Sequence, residues 1–206
     1  MNILSLGDSL AYGAGDERGL GIPGRLVSAL RARDINDARA VNLAVSGAQT
    51  SDLMARMQQP HVQHEIAAAD VIILSIGAND LFRWNQSREE IMREPLAVAE
   101  FILGRIVTIV AQLQELNPDA RLLLLGGYNP IPRHEWGPLI ERYMGFWDET
   151  LAGTFAHDER ISVVKMSDLI SERHLSRHDN FHPGGTAYEA VAARIAEMLL
   201  SEETAA

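Results

Sequence analysis

The sequence predicts an α/β sandwich with a central parallel sheet of five strands. Short apolar runs recur along the chain and alternate with stretches of helical periodicity, which is the pattern of repeated strand–helix units. The first three runs each lead to a glycine followed by small polar residues, which is typical of loops at the end of strands. Continuous apolar strands are characteristic of parallel sheets whose two faces are both covered by helices.

The strands are predicted from their apolar runs. The clearest run is Val-Ile-Ile-Leu-Ser at residues 71–75, and residues 121–126 form a similar run of four leucines between an arginine and a glycine. The predicted strands are, in chain order, residues 2–6, 40–44, 71–75, 121–126 and 161–165.

The helices are predicted from apolar residues at helical spacing. Pro95 is a favourable first residue for the longest helix, and Asn117-Pro118 ends it. The glycine-rich residues 11–21 and the residues 81–87 are predicted to be loops. The predicted helices cover residues 23–33, 53–57, 61–69, 95–116, 138–155 and 186–200.

Length and composition exclude several classes of function. A chain of 206 residues is long enough for one sizeable core, so we predict a single domain over residues 1–206, with residues 201–206 as a tail that frays. The formal net charge of −10 would repel phosphate backbones and anionic membranes, which argues against nucleic-acid binding. Because the sequence contains no cysteine, disulfides, thiol nucleophiles and thiolate metal sites are excluded.

No targeting or membrane segment is predicted. The first strand starts at Asn2 with no basic or long apolar stretch before it, so we expect a cytoplasmic protein if Met1 is the native start. If a signal peptide has been removed, we expect a secreted or periplasmic protein. The apolar stretch at residues 102–110 is interrupted by Gly104 and Arg105, and residues 122–125 are too few to span a bilayer.

Ser9 is the candidate nucleophile. It follows the first strand directly, in Leu-Gly-Asp-Ser-Leu at residues 6–10, and ligands of open α/β sheets bind beyond the carboxyl ends of the strands. The alternative is that Gly-Asp-Ser is merely a turn, since all three residues favour turns. Ser46 is a second candidate, but no G-x-S-x-G elbow surrounds it. Asp8 and Asp80 are predicted to support their loops as turn or cap carboxylates.

Asp179 and His182 are the candidate partners of this serine. Ser-His-Asp catalysis needs an imidazole that takes the hydroxyl proton and a carboxylate that orients the imidazole. Asp179 and His182 are three residues apart just before the last predicted helix, which brings the carboxylate within reach of the Nδ1 side of the ring. Nε2 is then free to face Ser9.

Three groups are candidate donors to the oxyanion of a tetrahedral intermediate. They are the backbone N–H of Ser9, the backbone N–H of Gly47 and the side-chain amide of Asn79. The loops after the first three strands lie at the same edge of a parallel sheet, so these groups are predicted to converge there. Gly47 has no Cβ to hinder a close approach of the substrate.

Metal binding is predicted at neither of two stretches that contain paired histidines. His61 and His64 have a loosely metal-like spacing, but no further ligands follow them nearby. His174, His178 and His182 are spaced four apart, but Pro183 makes a continuous helix through His182 improbable. His174 and His178 are therefore expected to face solvent.

Large apolar residues in two loops are candidates for the wall of a substrate pocket. Phe82 and Trp84 follow the third strand, while Ile131 and Trp136 follow the fourth strand, together with Tyr128. Such residues either line a site or pack inward, and the sequence leaves both alternatives open.

Four blocks of the sequence resemble the conserved blocks of the SGNH (GDSL) hydrolase family. They are residues 7–10, Gly47, residues 77–80 and residues 179–183, which occur in the family's order and span nearly the whole chain. The resemblance implies a flavodoxin-like three-layer fold and ester hydrolysis without metal or cofactor. It also implies Ser9 as nucleophile, with His182 as base and Asp179 as its orienting residue. The implied oxyanion donors are Ser9, Gly47 and Asn79.

The sequence therefore predicts a serine esterase or lipase-type acylhydrolase that acts on a small-molecule ester of short to medium acyl-chain length. Residues 127–132 resemble the corresponding loop of bacterial lipase or acylhydrolase members. A deacetylase of acetylated carbohydrates and an acyl-thioesterase are alternatives that use the same site. A non-catalytic protein that binds lipid or carbohydrate on the same fold is an alternative from a different class. The oligomeric state is left open.

Overall fold

A computed structural model describes residues 1–83 and 95–203, and these residues form helices on both faces of a five-stranded parallel sheet. The strand order is β2-β1-β3-β4-β5, which is the flavodoxin-like order. The predicted fold class is confirmed. The strands are β1 (Asn2–Gly7), β2 (Arg39–Asn42), β3 (Val71–Ser75), β4 (Arg121–Leu125) and β5 (Ile161–Val164).

The two faces of the sheet are covered by different helices, which gives three layers. The helices are α1 (Ser9–Tyr12), α2 (Gly21–Arg31), α3 (Thr50–Arg56), α4 (Pro60–Ala68), α5 (Ala78–Arg83), α6 (Pro95–Leu116), α7 (Gly137–Phe155) and α8 (Gly185–Glu203), with a 3-10 turn at Glu172–His174. Apolar residues of α3, α4, α6 and α7 form one core with the sheet. Apolar residues of α1, α2 and α8 form the second core.

The alternation of side chains along the central strands divides each apolar run between these two cores. In β3, Ile72 and Leu74 pack with α4 and α6, whereas Val71 and Ile73 pack with α2 and α8. Successive side chains of a strand point to opposite faces, so a strand that is covered on both sides must be apolar throughout. The apolar runs from which β3 and β4 were predicted have this origin, whereas β2 at the edge of the sheet is largely exposed.

Helix α6 is long and apolar enough to cross a membrane by length and composition alone. Its residues Leu96–Leu116 have a mean hydropathy of 1.8, and 33% of the most apolar window is buried in the structure. Gly104 and Arg105 do not interrupt the helix. Its inner face, which includes Ile102, Ile109 and Leu113, packs into the core beside β3 and β4. A core helix of a soluble protein has the same properties, so one such helix is weak evidence for a membrane span.

Two segments that were predicted to be loops begin with short helices instead. The first is α1, where the Asp8 side chain accepts the N–H of Leu10 at the N-cap and Gly13 ends the helix in the left-handed conformation. The second is α5, which contains Phe82. Helices of one or two turns carry too few residues to show an apolar period, which explains why the sequence did not reveal them.

The strand order places one candidate site at the carboxyl edge of the sheet. From β1 the chain crosses to β2 on one side and then to β3 on the other side, so β1 and β3 are adjacent and their following segments diverge. Register pairs Gly7 at the end of β1 with Ser75 at the end of β3. Ligands of this class of fold bind in the crevice that such a reversal opens.

Candidate active site

Ser9 is held at the first turn of α1, directly beyond the end of β1. The backbone of Gly7 has a φ of 121°, and a Cβ at this position would overlap the carbonyl oxygen of Ser75 on β3. Only glycine permits this close approach of the two strands. The N–H of Asp8 then donates to the same Ser75 carbonyl at 2.8 Å, which fixes the turn that presents Ser9.

Ser9, His182 and Asp179 form a continuous chain of hydrogen bonds. The distance from His182 Nε2 to Ser9 Oγ is 3.0 Å, and the distance from His182 Nδ1 to Asp179 Oδ2 is 2.6 Å. An ionised Asp179 only accepts hydrogen bonds, so Nδ1 must carry the ring proton and Nε2 presents its lone pair to the serine hydroxyl. The arrangement can deprotonate Ser9.

The backbone around Asp179 favours the ionised carboxylate. Burial alone would raise the pKa of Asp179, but the hydrogen bond to His182 and the backbone N–H groups of Phe181 and His182 outweigh it and lower the pKa below its usual value. Asn180 adopts a left-handed φ of 53°, which folds the segment so that one carboxylate reaches both backbone groups and the ring. Asparagine tolerates this conformation better than most residues.

Contacts that the sequence did not indicate hold residues 176–183, the histidine segment, in place. The hydroxyl of Tyr128 donates to the carbonyl of Phe181 at 3.2 Å, and the N–H of Ser176 donates to the carbonyl of His182 at 2.7 Å. Tyr128 was a candidate for contact with substrate, but its hydroxyl is thus bonded to the backbone beside His182. Burial raises the pKa of Tyr128, so it remains a neutral donor. Tyr128 and Phe181 are more than fifty residues apart in the sequence, and no local sequence pattern reveals such a pair.

Gly47 lies in the loop between β2 and α3, and this loop is bonded to Asn79 in the first turn of α5. The side-chain amide of Asn79 donates to the carbonyl of Ala48 at 3.0 Å. An amide has two N–H groups, so this bond orients Asn79 and leaves a second donor for a ligand. Gly47 has a φ of 82°, and a Cβ there would meet nothing within 4 Å. The glycine is therefore required by backbone conformation and borders open space.

Asp80 links the first turn of α5, which contains Asn79, to the start of α3, which follows the loop of Gly47. Its buried carboxylate accepts the Thr50 hydroxyl at 2.6 Å and the Thr50 N–H at 3.0 Å, at the first residue of α3. Asp80 thus has the supporting role that was predicted for it, although its partner is a helix thirty residues earlier. Thr50 was not identified from the sequence, because its role depends on this tertiary contact.

The candidate pocket residues are placed unequally. Ile131 and Trp136 lie in the segment that follows β4, at the same edge of the sheet as Ser9. Trp136 is 39% exposed, and its ring packs edge-on against His134. Phe82 belongs to α5 rather than to a loop, and Trp84 lies outside the described residues. Contact of these four side chains with a substrate stays a prediction.

Histidine and acidic side chains are the groups that could hold a metal ion in this chain, which contains no cysteine. Within residues 1–83 and 95–203, no group of three or more such residues is arranged to hold a metal ion. His178 is exposed, as expected, but His174 is partly buried. His174 accepts the N–H of Ser171 through Nδ1 and so stabilises the 3-10 turn.

Asp8 is a buried carboxyl group next to the candidate nucleophile. Burial raises its pKa to about 6, although hydrogen bonds from the Ser75 hydroxyl and from the N–H of Leu10 partly offset this effect. The folded protein therefore favours the neutral form of this carboxyl more than the unfolded chain does. Stability that depends on Asp8 is present at low pH and is lost as the pH rises through about 6.

We expect Asp8→Asn to remove this loss of stability. The variant keeps the acceptor oxygen for Leu10 and Ser75 but never ionises. Its free energy of unfolding relative to the wild type should rise by about 2 kcal/mol between pH 4 and pH 8, as the raised pKa requires. Urea denaturation of both proteins across this range measures the difference. A difference that stays constant with pH would contradict a raised pKa at Asp8.

The chain is similar to known proteins in both sequence and fold. The model of the GDSL-like Lipase/Acylhydrolase family matches residues 5–190. The chain is 29% identical to the uncharacterized protein YpmR of Bacillus subtilis, over 97% of this chain and 82% of YpmR. It is 26% identical to the spore germination lipase LipC of Bacillus licheniformis, over 93% of this chain and 92% of LipC. The lipase Lip_vut3 from a goat rumen metagenome has a similar fold, with a TM-score of 0.78, 23% identity and 95% of each chain covered.

Proposed function

Because the chain belongs to the GDSL-like lipase/acylhydrolase family, a family of hydrolases, we propose that it cleaves carboxylic esters through an acyl intermediate on Ser9. The observation that carries the proposal is the hydrogen-bond chain from Ser9 Oγ through His182 to Asp179, with distances of 3.0 and 2.6 Å. This arrangement supplies a nucleophile, a base and an orienting carboxylate at the edge of the sheet where ligands bind.

The proposed reaction has two stages. As Ser9 Oγ attacks the ester carbonyl carbon, its proton passes to His182 Nε2, and the carbonyl oxygen becomes an oxyanion. The intermediate collapses when the C–O bond to the alcohol breaks, and His182 donates its proton to the oxygen of the departing alcohol. The product of this stage is an acyl-serine. A water molecule then attacks the acyl carbon and gives a proton to His182 Nε2. The bond between the acyl carbon and Ser9 Oγ breaks, and His182 returns the proton to Ser9 Oγ, so that the acid and free Ser9 are released. Each stage is complete without a metal or cofactor.

We assign the stabilisation of the oxyanion to the N–H groups of Ser9 and Gly47 and to the amide of Asn79. The bond between Asn79 and Ala48 supports this assignment, because it orders the amide before a substrate binds. Donors that are fixed in advance stabilise a developing charge without the cost of reorganisation.

Asn79→Ala should lower kcat by about a hundredfold to a thousandfold and change KM little, since the donor acts mainly in the transition state. Steady-state kinetics with a nitrophenyl ester measures the effect. Asn2→Ala is a matched control, because the Asn2 amide donates to the carbonyl of Ala68 at 2.9 Å in the same way but at the opposite end of β1. Equal activities of Asn79→Ala and the wild type, with loss of stability only, would show a structural role for Asn79.

The preferred substrate is proposed to be an ester with an apolar acyl chain of short to medium length. The apolar side chains of Ile131 and Trp136, in the segment that follows β4 at the same edge of the sheet as Ser9, support this choice. The similarity to a lipase over nearly the whole chain supports it as well.

Rates on a series of nitrophenyl esters of increasing acyl length test the proposed function, with an acetylated sugar and an acyl thioester assayed beside them. We expect the highest kcat/KM on an oxygen ester of short to medium chain length. A higher kcat/KM on the sugar or the thioester would show that the preferred substrate belongs to that class and not to the proposed one. No turnover of any compound would contradict the proposed activity.

A further inference from the structure

The loop of residues 13–17 contacts both the backbone of Ser9 and the segment that contains His182. We propose that this loop is a positioning element that sets the distance between Ser9 Oγ and His182 Nε2. The proposal rests on the proposed function, because it assigns Gly15 and Glu17 a role in the proton transfer between these two residues. The contacts of the loop at its two ends carry the argument.

The first residues of the loop are hydrogen-bonded to the backbone of Ser9. The N–H groups of Gly13 and Ala14 donate to the carbonyl of Ser9 at 3.1 and 2.9 Å. Gly13 is also the residue that ends α1, with a left-handed φ of 95°. Because α1 is one turn long, a displacement of residues 13 and 14 would move Ser9 directly.

The same loop contacts residues 182–188 at three places. Tyr188 on α8 donates its hydroxyl to the carbonyl of Ala14 at 2.7 Å. A Cβ at Gly15 would lie 2.9 Å from the Cβ of His182 and 2.6 Å from the carbonyl oxygen of Pro183. The Glu17 carboxylate accepts the N–H of Gly185 at 2.8 Å, three residues after His182.

A buried ion pair holds the loop in this shape. The Asp16 side chain has no exposed surface and accepts two hydrogen bonds from Arg25 on α2, at 2.7 and 3.0 Å. It also accepts the N–H groups of Leu20 and Gly21. A buried charge pair is a weak source of stability but is well suited to fix one arrangement of the chain. Arg25 lies beside Gly185 as well, since a Cβ at Gly185 would be 2.6 Å from its guanidinium.

These contacts leave no free space between the loop and His182. The loop is bonded to Ser9 at one end and packs on the Cβ of His182 and the carbonyl oxygen of Pro183 at the other end, without space for one methyl group. A misplacement of about 1 Å between reacting groups costs on the order of a hundredfold in rate. The substrate does not need to touch this loop for the loop to control the reaction.

Gly15→Ala and Glu17→Ala test the proposal against matched controls. Gly15→Ala should lower kcat about a hundredfold and leave KM nearly unchanged. Gly19→Ala is its control, because Gly19 has a left-handed φ of 64° in the same connection but no neighbour within 4 Å of a new Cβ. Gly19→Ala should retain kcat within about twofold. Glu17→Ala should lower kcat about tenfold, and Glu17→Gln, which keeps an acceptor oxygen for Gly185, should restore it.

A double variant separates positioning from a general loss of structure. In a His182→Ala background, Gly15→Ala should cause no further decrease of the residual rate, because a group that acts through His182 has no effect in its absence. An additive decrease, or an unchanged kcat in Gly15→Ala and Glu17→Ala, would overturn the proposal. If Gly15→Ala does not fold, the kcat values of Glu17→Ala and Glu17→Gln test the proposal without it.

An NMR measurement keeps this test independent of the proposed function. The ¹⁵N resonances of the His182 ring report its hydrogen bonds to Ser9 and Asp179 whether or not an ester is turned over. We expect Glu17→Ala to shift the Nε2 resonance and Glu17→Gln to leave it in place. If the wild type hydrolyses no ester, the proposed function fails while these resonances still decide whether the loop positions His182. Unchanged resonances in Glu17→Ala would contradict the proposal.

Discussion

Ser9→Ala is expected to lower kcat for an aryl ester by about a millionfold, which is the size of effect seen when the nucleophile of a serine hydrolase is removed. In the proposed mechanism, the Ser9 hydroxyl is the group of the protein that forms a bond to the acyl carbon. The fold should survive, because the Ser9 hydroxyl bonds to His182 at the partly buried surface of the site and fills no part of either core. Steady-state kinetics and a thermal melt of the same sample measure both properties.

Ser46→Ala is the matched control for this substitution. Ser46 is exposed in the loop that contains Gly47, and it is the other serine considered as a nucleophile. We expect Ser46→Ala to retain nearly full activity. Activity that survives in Ser9→Ala and is lost in Ser46→Ala would transfer the nucleophilic role to Ser46.

His182→Ala is expected to cost about as much as Ser9→Ala, because the two residues act as one unit. Without the imidazole, no base lies within hydrogen-bond distance of the Ser9 hydroxyl among the described contacts. The double variant should therefore be no slower than either single variant. The exposed His178 belongs to the same segment, so His178→Ala controls for loss of a histidine and should retain activity.

An additive loss in the double variant would contradict this account. In that case Ser9 and His182 would contribute through separate interactions, and the 3.0 Å contact between them would not be the route of proton transfer. The kinetics of the two single variants and the double variant can be compared on one ester at one pH.

The parts of the fold that the sequence predicted correctly are those with a strong repeating pattern. Strand β3 and helix α6 agree with their predicted bounds, since an apolar strand between two helical layers and a long helix that starts at proline leave clear signals. The short helices α1 and α5 were missed, because a few hydrogen bonds and caps define them rather than a hydrophobic period.

Within the candidate site, the sequence indicated only the residues that are proposed to act in the reaction. Ser9, Asp179 and His182 stand at strand or helix ends in recognisable blocks, and the structure brings them within hydrogen-bond distance. The groups that hold them were not predictable. Tyr128 contacts the backbone near His182, and Glu17 contacts Gly185, across long sequence separations. Such pairs depend on how helices and loops pack, which single residues do not encode.

Labelling with an aryl phosphonate tests the central claim most directly, since it requires an activated serine but no knowledge of the natural substrate. We predict that the wild type binds one phosphonate per chain, that peptide mass spectrometry locates it on Ser9, and that His182→Ala is labelled far more slowly. A folded wild-type protein that stays unlabelled, or that carries the label on another residue, would contradict Ser9 as nucleophile. An unlabelled protein that still binds lipid or carbohydrate would instead support the non-catalytic alternative.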